Sequence, residues 1–438
     1  MSHWLELAHR KEIGYETLEN LVDSGHRLAG SKSERVAAEL TRDQFTEVGL
    51  RDVHLKEFEI TGWNRGSTTV RSADSETSVD AFALPRSPNG SVAGGLVDLG
   101  YGLPVDFESS EIESSIVMVS STVPDHYHRP VHRREKYRMA VENGAVGFIY
   151  KNHREGCNPR SGSVNGAEGS IGEIPAIAVS KEDGIRLSRR CEREPVMIDV
   201  TADIAPTRSQ NIHGEMGPDT DERVLVTAHV DGHDISESAI DNGGGVAGVL
   251  EIAQALLARE DEIETRVEFV VYGAEEVGLL GSAHHAQTTE TDTIKAVVNL
   301  DVLGSARNVR FITHRFDELG TLAEDVCVRF SYPQIVDPRH SLSSDHWRFV
   351  EKGIPGCFVT DDTNSRSRGR ILTPEDTLDK VDPRNIRENG ILLAEYVVEI
   401  AQEEFNLPQR SEDKVERLLE QEGETFKRDQ YRLSAEHM

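Results

Sequence analysis

Val224-Leu225-Val226-Thr227-Ala228 runs into His229-Val230-Asp231, and the same device recurs twice downstream. Val267 to Tyr272 is followed by Gly273-Ala274-Glu275-Glu276, and Ala296 to Leu300 by Asp301. Each is an apolar run of strand length that stops at a residue able to do chemistry. Between them, Val246 to Leu257 and Leu279 to His285 carry helical spacing, and Ile354 to Val359 supplies a later strand. Continuous apolar strands alternating with helices read as an α/β fold, a mostly parallel mixed sheet with helices on both faces. Ligands of such sheets sit beyond the carboxyl ends of the strands, so the residues there are the ones to weigh.

Upstream, two amphipathic helices are expected over Tyr15–Asp23 and Glu34–Val48, the second capped from Ser31 or Ser33 and closed by Gly49. A strand over Val53–Ile60 leads to turn residues Gly62, Trp63, Asn64, Arg65 and Gly66. From residue 78 to 205 the texture changes. Short apolar runs (Ile116 to Val119, Val146 to Tyr150) alternate with polar loops and one basic helical stretch, His132 to Glu142, which reads as a compact, mostly β module. The loop from Glu155 to Gly172, rich in Gly, Ser and Asn, is expected to be mobile. The division is therefore a discontinuous domain of residues 1–77 and 206–405, an insert of 78–205, and a charged helical tail of 406–438. In the tail only Val415, Leu418 and Leu419 recur at helical spacing, fitting a docked surface helix or a partner-binding segment.

A formal net charge of -29 repels nucleic acid and anionic lipid, so neither is an expected partner. Acidic residues spread along the whole chain with Lys scarce beside Arg fit a salt-adapted protein, because strong screening makes such self-repulsion tolerable. No apolar run reaches the roughly 18 residues that span a membrane, and the N-terminus has no apolar signal core, which sets the cytoplasm as the expected compartment. Cys157, Cys191, Cys327 and Cys357 form no CxxC pair and are expected to be buried free thiols. A homo-oligomer is compatible with all of this.

At the strand ends stand His229, Asp231, Glu275, Glu276 and Asp301, with Asp241 in the loop Ala239-Ile240-Asp241-Asn242-Gly243-Gly244-Gly245. Alone, each has a bland reading: a surface histidine, a solvated glutamate pair, a tight turn opening a helix. Their ordered occurrence at successive strand ends points to one rim. Mixed imidazole and carboxylate donors there suit Zn²⁺ or a similar divalent ion, which also removes the repulsion between crowded carboxylates.

This series (Ala-His-x-Asp, Asp-Asn-x-x-Gly-Val, Glu-Glu-x-Gly-Leu-x-Gly-Ser, Asn-Leu-Asp) resembles the co-catalytic dizinc aminopeptidases, in particular their plasma glutamate carboxypeptidase branch. Gly30-Ser31, Trp63-Asn64-Arg65-Gly66, Ser344-Asp345-His346 and Thr373-Pro374-Glu375-Asp376-Thr377 extend the likeness. The insert, with Gly144-Ala145-Val146-Gly147 and Ile174-Pro175-Ala176, resembles a protease-associated domain. The resemblance implies a zinc exopeptidase fold and a metal-dependent exopeptidase of the aminopeptidase or dipeptidase kind acting on small peptides. It implies Asp241 as a bridge between two metals, His229 and Asp301 completing the first site, and Glu276 binding at the second. Glu275 becomes the general base, and Asp231 the acceptor that orients the His229 ring. One position departs. Leu372 stands where the resemblance implies a histidine for the second site. The expectation is therefore one tightly bound zinc and a weaker second divalent ion, unless His340, His346 or His233 moves in, with His346 the first candidate. Leu372 also keeps an alternative open, a peptidase-like binding protein with impaired catalysis.

Overall fold

The computed structural model describes residues 4–5, 13–72, 78–164, 169–191, 195–362 and 369–423. The opening helices are α1 (Ile13–Asp23) and α2 (Lys32–Val48). Ser31 caps α2 by accepting from the Glu34 amide, and Gly49 ends it in the left-handed conformation that glycine adopts without penalty. Strand β1 (Arg51–Ser72) follows, then β2 (Ala81–Ala83), β3 (Gly90–Asp98), α3 (Pro104–Glu108), β4 (Ile116–Ser120), α4 (Arg133–Glu142), β5 (Gly147–Lys151), β6 (Ala176–Val179) and α5 (Lys181–Cys191). Strand β7 (Pro195–Met216) leads into β8 (Arg223–His229), α6 (Gly244–Leu257), β9 (Arg266–Tyr272), α7 (Leu280–Thr288) and β10 (Ile294–Leu300). The chain ends through β11 (Val309–Ile312), α8 (Asp317–Phe330), β12 (Gln334–Asp337), α9 (Trp347–Val350), β13 (Gly356–Asp361), α10 (Pro383–Ile400) and α11 (Glu412–Glu422).

Strands β9, β8, β10 and β13 are neighbours and all parallel, so their carboxyl ends share one edge. In that register His229 pairs with Tyr272 and Val226 with both Phe269 and Val298, which brings the polar residues after each strand to the same level. Helix α6 is apolar on nearly every face because it is enclosed between the sheet, α1 and α10. Its Val246, Val249, Leu250 and Ile252 join Val226, Phe269, Val271 and Val298 in the largest apolar cluster. At the other end of the sheet, parallel β3–β4–β5–β6 form the insert, with separate apolar clusters on its two faces.

Several expectations change. Residues 62–66 are not a turn: they lie inside β1, which runs 22 residues in an antiparallel ladder with β7. The glycines serve close strand approach, since a Cβ on Gly66 would stand 2.6 Å from the Thr201 carbonyl oxygen. Trp63 is buried and donates its indole N–H to Ser87 O at 2.8 Å. The boundary expected at 205/206 falls within β7, which runs unbroken from the insert into the larger sheet. The insert also carries α3 and α5 beside the expected basic helix, and α5 buries Asp183, Leu187 and Cys191 at helical spacing. Cys157 is exposed, while Cys191, Cys327 and Cys357 are buried free thiols. Residues 165–168 of the glycine-rich loop and 424–438 of the tail lie outside the described residues; its residues Ser161, Ser163 and Val164 are buried. No helix among the described residues is long and apolar enough to cross a membrane.

The tail docks. Val415 and Leu419 of α11 bury against Leu279, Leu342, Trp347 and Val350, and Glu422 accepts from Arg315 Nε and the His340 amide. Leu419→Ala removes a buried side chain at this seam and should cost about 2 kcal/mol, the low end for such truncations because the seam is peripheral. Urea unfolding would read the loss, and an unchanged midpoint would show that α11 adds nothing to stability.

Candidate metal centre

His229 is the last residue of β8 and is fully buried. Its Nδ1 faces Asp231, 3.1 Å from the backbone oxygen and 3.5 Å from Oδ1. The Asp231 carboxylate in turn accepts from the Glu275 and Glu276 amides at 2.9 and 3.1 Å. One residue thus ties the end of β8 to the loop after β9. Behind that loop the buried Glu34 accepts from the Gly30 and Ala274 amides and from Ser209 Oγ. Burial, then the nearby Asp231 charge, push Glu34 up to about 8.

Asp241 is set by its surroundings. Asp376 accepts from the Ile240 and Asp241 amides at 2.7 and 3.1 Å, which gives the Thr373–Thr377 motif its purpose. Asn242 donates to Leu300 O and accepts from the Gly245 and Val302 amides, locking the loop to the end of β10. The glycine run is a matter of space, since a Cβ on Gly244 would stand 2.0 Å from Leu303 O. Arg27, buried, donates to the carbonyls of Val230, Glu237 and Ser238 and fixes the loop between β8 and Asp241.

These supports bring donors together. His229 Nε2 lies 3.6 Å from Asp241 Oδ1, 3.6 Å from Asp301 Oδ1 and 3.9 Å from Glu275 Oε2. One donor atom each from His229, Asp241 and Asp301 falls within 4.8 Å of the others. Those spacings exceed hydrogen bonds and match ligands sharing an ion, since two donors ~2.1 Å from tetrahedral zinc stand about 3.4 Å apart. His229 Nε2 and Asp301 Oδ1 are buried with no hydrogen-bond partner, so the residues present fit a divalent ion. Glu276 stands in a separate pair with His233, Nε2 to Oε2 at 3.0 Å.

The electrostatics agree. Burial and then the Glu276 charge raise Asp241 well above the usual carboxylate range. Burial likewise lifts Glu275, opposed by His229 and reinforced by Glu276. For His229, burial works against the charged form, but Glu275 with Asp231, Asp241 and Asp301 overrides it and holds the ring well above its ordinary value. Burial raises Glu276 too, yet His233 outweighs it and brings that carboxyl down to about 2. Protons crowd in where a cation would neutralise the same charges.

The histidines expected to fill the gap at Leu372 need correction. His346 Nε2 contacts Ser341 O at 2.9 Å, and its ring stacks between His314 and Phe358. His340 Nδ1 meets Glu422 at 3.1 Å on the far side of α9. Neither stands beside Glu276; His233 does. It gave little signal in the sequence because it lies in the loop after β8 with no strand end or motif to mark it. A second group of metal-ligand type, His213, Glu268 and His285, also lies within 4.8 Å. Here Glu268 already meets His213 Nδ1 at 2.9 Å and Arg223, and Tyr272 OH pairs with His285 Nδ1, while His213 Nε2 has no hydrogen-bond partner.

The insert also reaches the centre. Ser163 Oγ donates to Glu276 O at 2.8 Å, and Ser161 Oγ lies 3.3 Å from His233 Nδ1. Arg133, from the basic stretch, is buried and holds this segment by donating to Ser161 O and Ser163 O.

Residues 211–397 match Peptidase family M28, and residues 88–187 match the PA domain. The aminopeptidase YwaD of Bacillus subtilis is 27% identical over 91% of this chain and 87% of its own. Carboxypeptidase Q of Bos taurus is 23% identical over 90% of this chain and 86% of its own. Among solved structures, a zinc aminopeptidase from Bacillus subtilis superimposes with a TM-score of 0.71 at 25% identity, over 89% of this chain and 95% of that one. A peptidase M28 precursor from Shewanella amazonensis reaches 0.76 at 24% identity over 93% and 97%, which speaks for the fold.

Removing the acceptor beneath Asp241 tests this architecture. Asp376→Ala should weaken zinc binding about 10- to 100-fold, the usual cost of losing a residue that orients a ligand. Competition with a chromogenic chelator measures it, and native affinity in a folded variant would show that Asp241 is positioned without Asp376.

Proposed function

We propose that this metal-dependent exopeptidase, whose residues 211–397 match Peptidase family M28 and 88–187 the PA domain, removes residues from the amino end of short peptides. The observation that carries this reading is the convergence of His229, Asp241 and Asp301 with unpartnered donor atoms, and Glu275 beside them. His229, Asp241 and Asp301 are the residues that would hold a zinc ion. The chemistry such an ion supplies when bound is acidification of the attacking water and polarisation of the scissile carbonyl.

Within that setting Glu275 takes the proton from the attacking water and delivers it to the leaving amine. Its burial favours the neutral form, so the carboxylate readily accepts a proton. Asp231 fixes the His229 ring through Nδ1 and leaves Nε2 to face the metal. Glu276 serves a second metal position. The Ser161–Val164 segment, buried beside Glu276, frames the cleft and favours short chains over folded proteins. The net charge of -29 supports a salt-rich cytoplasm as the workplace.

A binding protein without catalysis is the weaker reading, because the base and a three-residue ligand set stand together. Glu275→Gln should lower kcat about 10²- to 10⁴-fold with zinc content unchanged. Loss of zinc along with the activity would make Glu275 a ligand and sink its role as base. A peptide library digested beside its N-acetylated copy checks polarity: free amino ends are cut and acetylated ones are spared, and equal cleavage overturns the proposal. Raising KCl from about 0.1 M to about 1 M shortens the screening length from ~10 to ~3 Å, so the thermal midpoint should rise. A flat or falling midpoint removes the argument for salt adaptation.

A further inference from the structure

Glu276 and His233 form a buried pair that leaves donor atoms open. Their Nε2 and Oε2 atoms are 3.0 Å apart, yet His233 Nε2 and Glu276 Oε1 are both buried and both lack a hydrogen-bond partner. The two side chains are about a tenth exposed or less, so water offers little compensation. Both atoms are of metal-ligand type, and a cation beside the pair would satisfy what the ion pair leaves open.

The loop that carries His233 is built to keep it there. The His233 amide donates to Ser238 Oγ at 3.1 Å, and Ser238 O in turn accepts from the buried Arg27. His233 Nδ1 faces Ser161 Oγ of the insert at 3.3 Å, which leaves Nε2 to point at Glu276. A ring held through one nitrogen keeps the other free for a metal, as metal-binding imidazoles do. The Ser161 amide also donates to Leu372 O at 2.7 Å, so His233 stands in the neighbourhood of the position where a ligand is missing.

We infer that His233 is the imidazole ligand of a second metal ion, pairing with Glu276 at the position that Leu372 cannot serve. The inference rests on reading the site as a metal centre. It makes that centre a two-ion one, with one imidazole per ion, the second drawn from the loop after β8 instead of the segment before Thr373. It also gives the insert a part in metal binding, because Ser161 orients the ring.

Zinc stoichiometry after mild dialysis is the test, measured on the unmodified chain and on His229→Gln, His233→Gln and His346→Gln variants. Two zinc ions per unmodified chain are expected, falling to one in His233→Gln and staying at two in His346→Gln. Retention of both ions in His233→Gln, or loss of one in His346→Gln, overturns the inference and leaves the first site untouched. No zinc in the unmodified chain, or none lost in His229→Gln, overturns the metal-centre reading beneath it. Because a buried substitution can unfold the loop, zinc-edge X-ray absorption on the unmodified two-zinc protein gives a second measure. About one imidazole per zinc is expected, and about one for every two zincs overturns the assignment.

Discussion

Everything near the carboxyl edge of the sheet answers to one constraint: carboxylates are buried together. Asp231, Asp241, Glu275 and Asp301 are each nine-tenths or more removed from water, and Glu276 adjoins them. Bare carboxylates so placed would repel one another and lose their hydration, a cost that burial alone never recovers. The fold answers in two ways. Some of the charges are met by backbone amides, as Asp231 is by Glu275 and Glu276 and Asp376 by Ile240 and Asp241. The rest, His229 Nε2 and Asp301 Oδ1 among them, are left facing one another for a cation.

That division explains which parts of the protein are rigid by design. Asp231, Asp376, Glu34 and Arg27 bind only main-chain groups or supporting side chains, yet each fixes the path of a loop that presents a ligand. Buried polar groups that are fully satisfied specify a single arrangement, which is what a catalytic centre needs. The parallel strands β9, β8 and β10 do the coarser work of bringing three loops to one level.

The insert is more than an attached module. Strand β7 carries the sheet continuously from one part to the other, and β1 lies along its whole length. The segment around Ser161 and Ser163 reaches the backbone of Glu276 and the ring of His233, held there by Arg133. Any shift of the insert relative to the larger sheet would therefore be felt at the centre and not only at its entrance.

The sequence by itself determined the sheet and the strand ends, and it named His229, Asp241, Glu275, Glu276 and Asp301 as candidates. The strand-end signals are local, an apolar run of strand length and then a polar residue, whereas Asp241 was marked by its glycine loop and by resemblance. It also carried the docked tail helix, since Val415 and Leu419 keep helical spacing. It misread Trp63 to Gly66 as a turn, because the glycines there answer to Thr201 on a strand far along the chain. It put His346 ahead of His233 and His340, a choice with no periodicity behind it, since a histidine in a loop has none to place it. Only the tertiary structure decided that, by pairing His340 with Glu422, stacking His346 between two rings, and turning His233 toward Glu276. The physical reason is that a ligand set is a property of distances between chain segments, while sequence spacing constrains only the segments themselves.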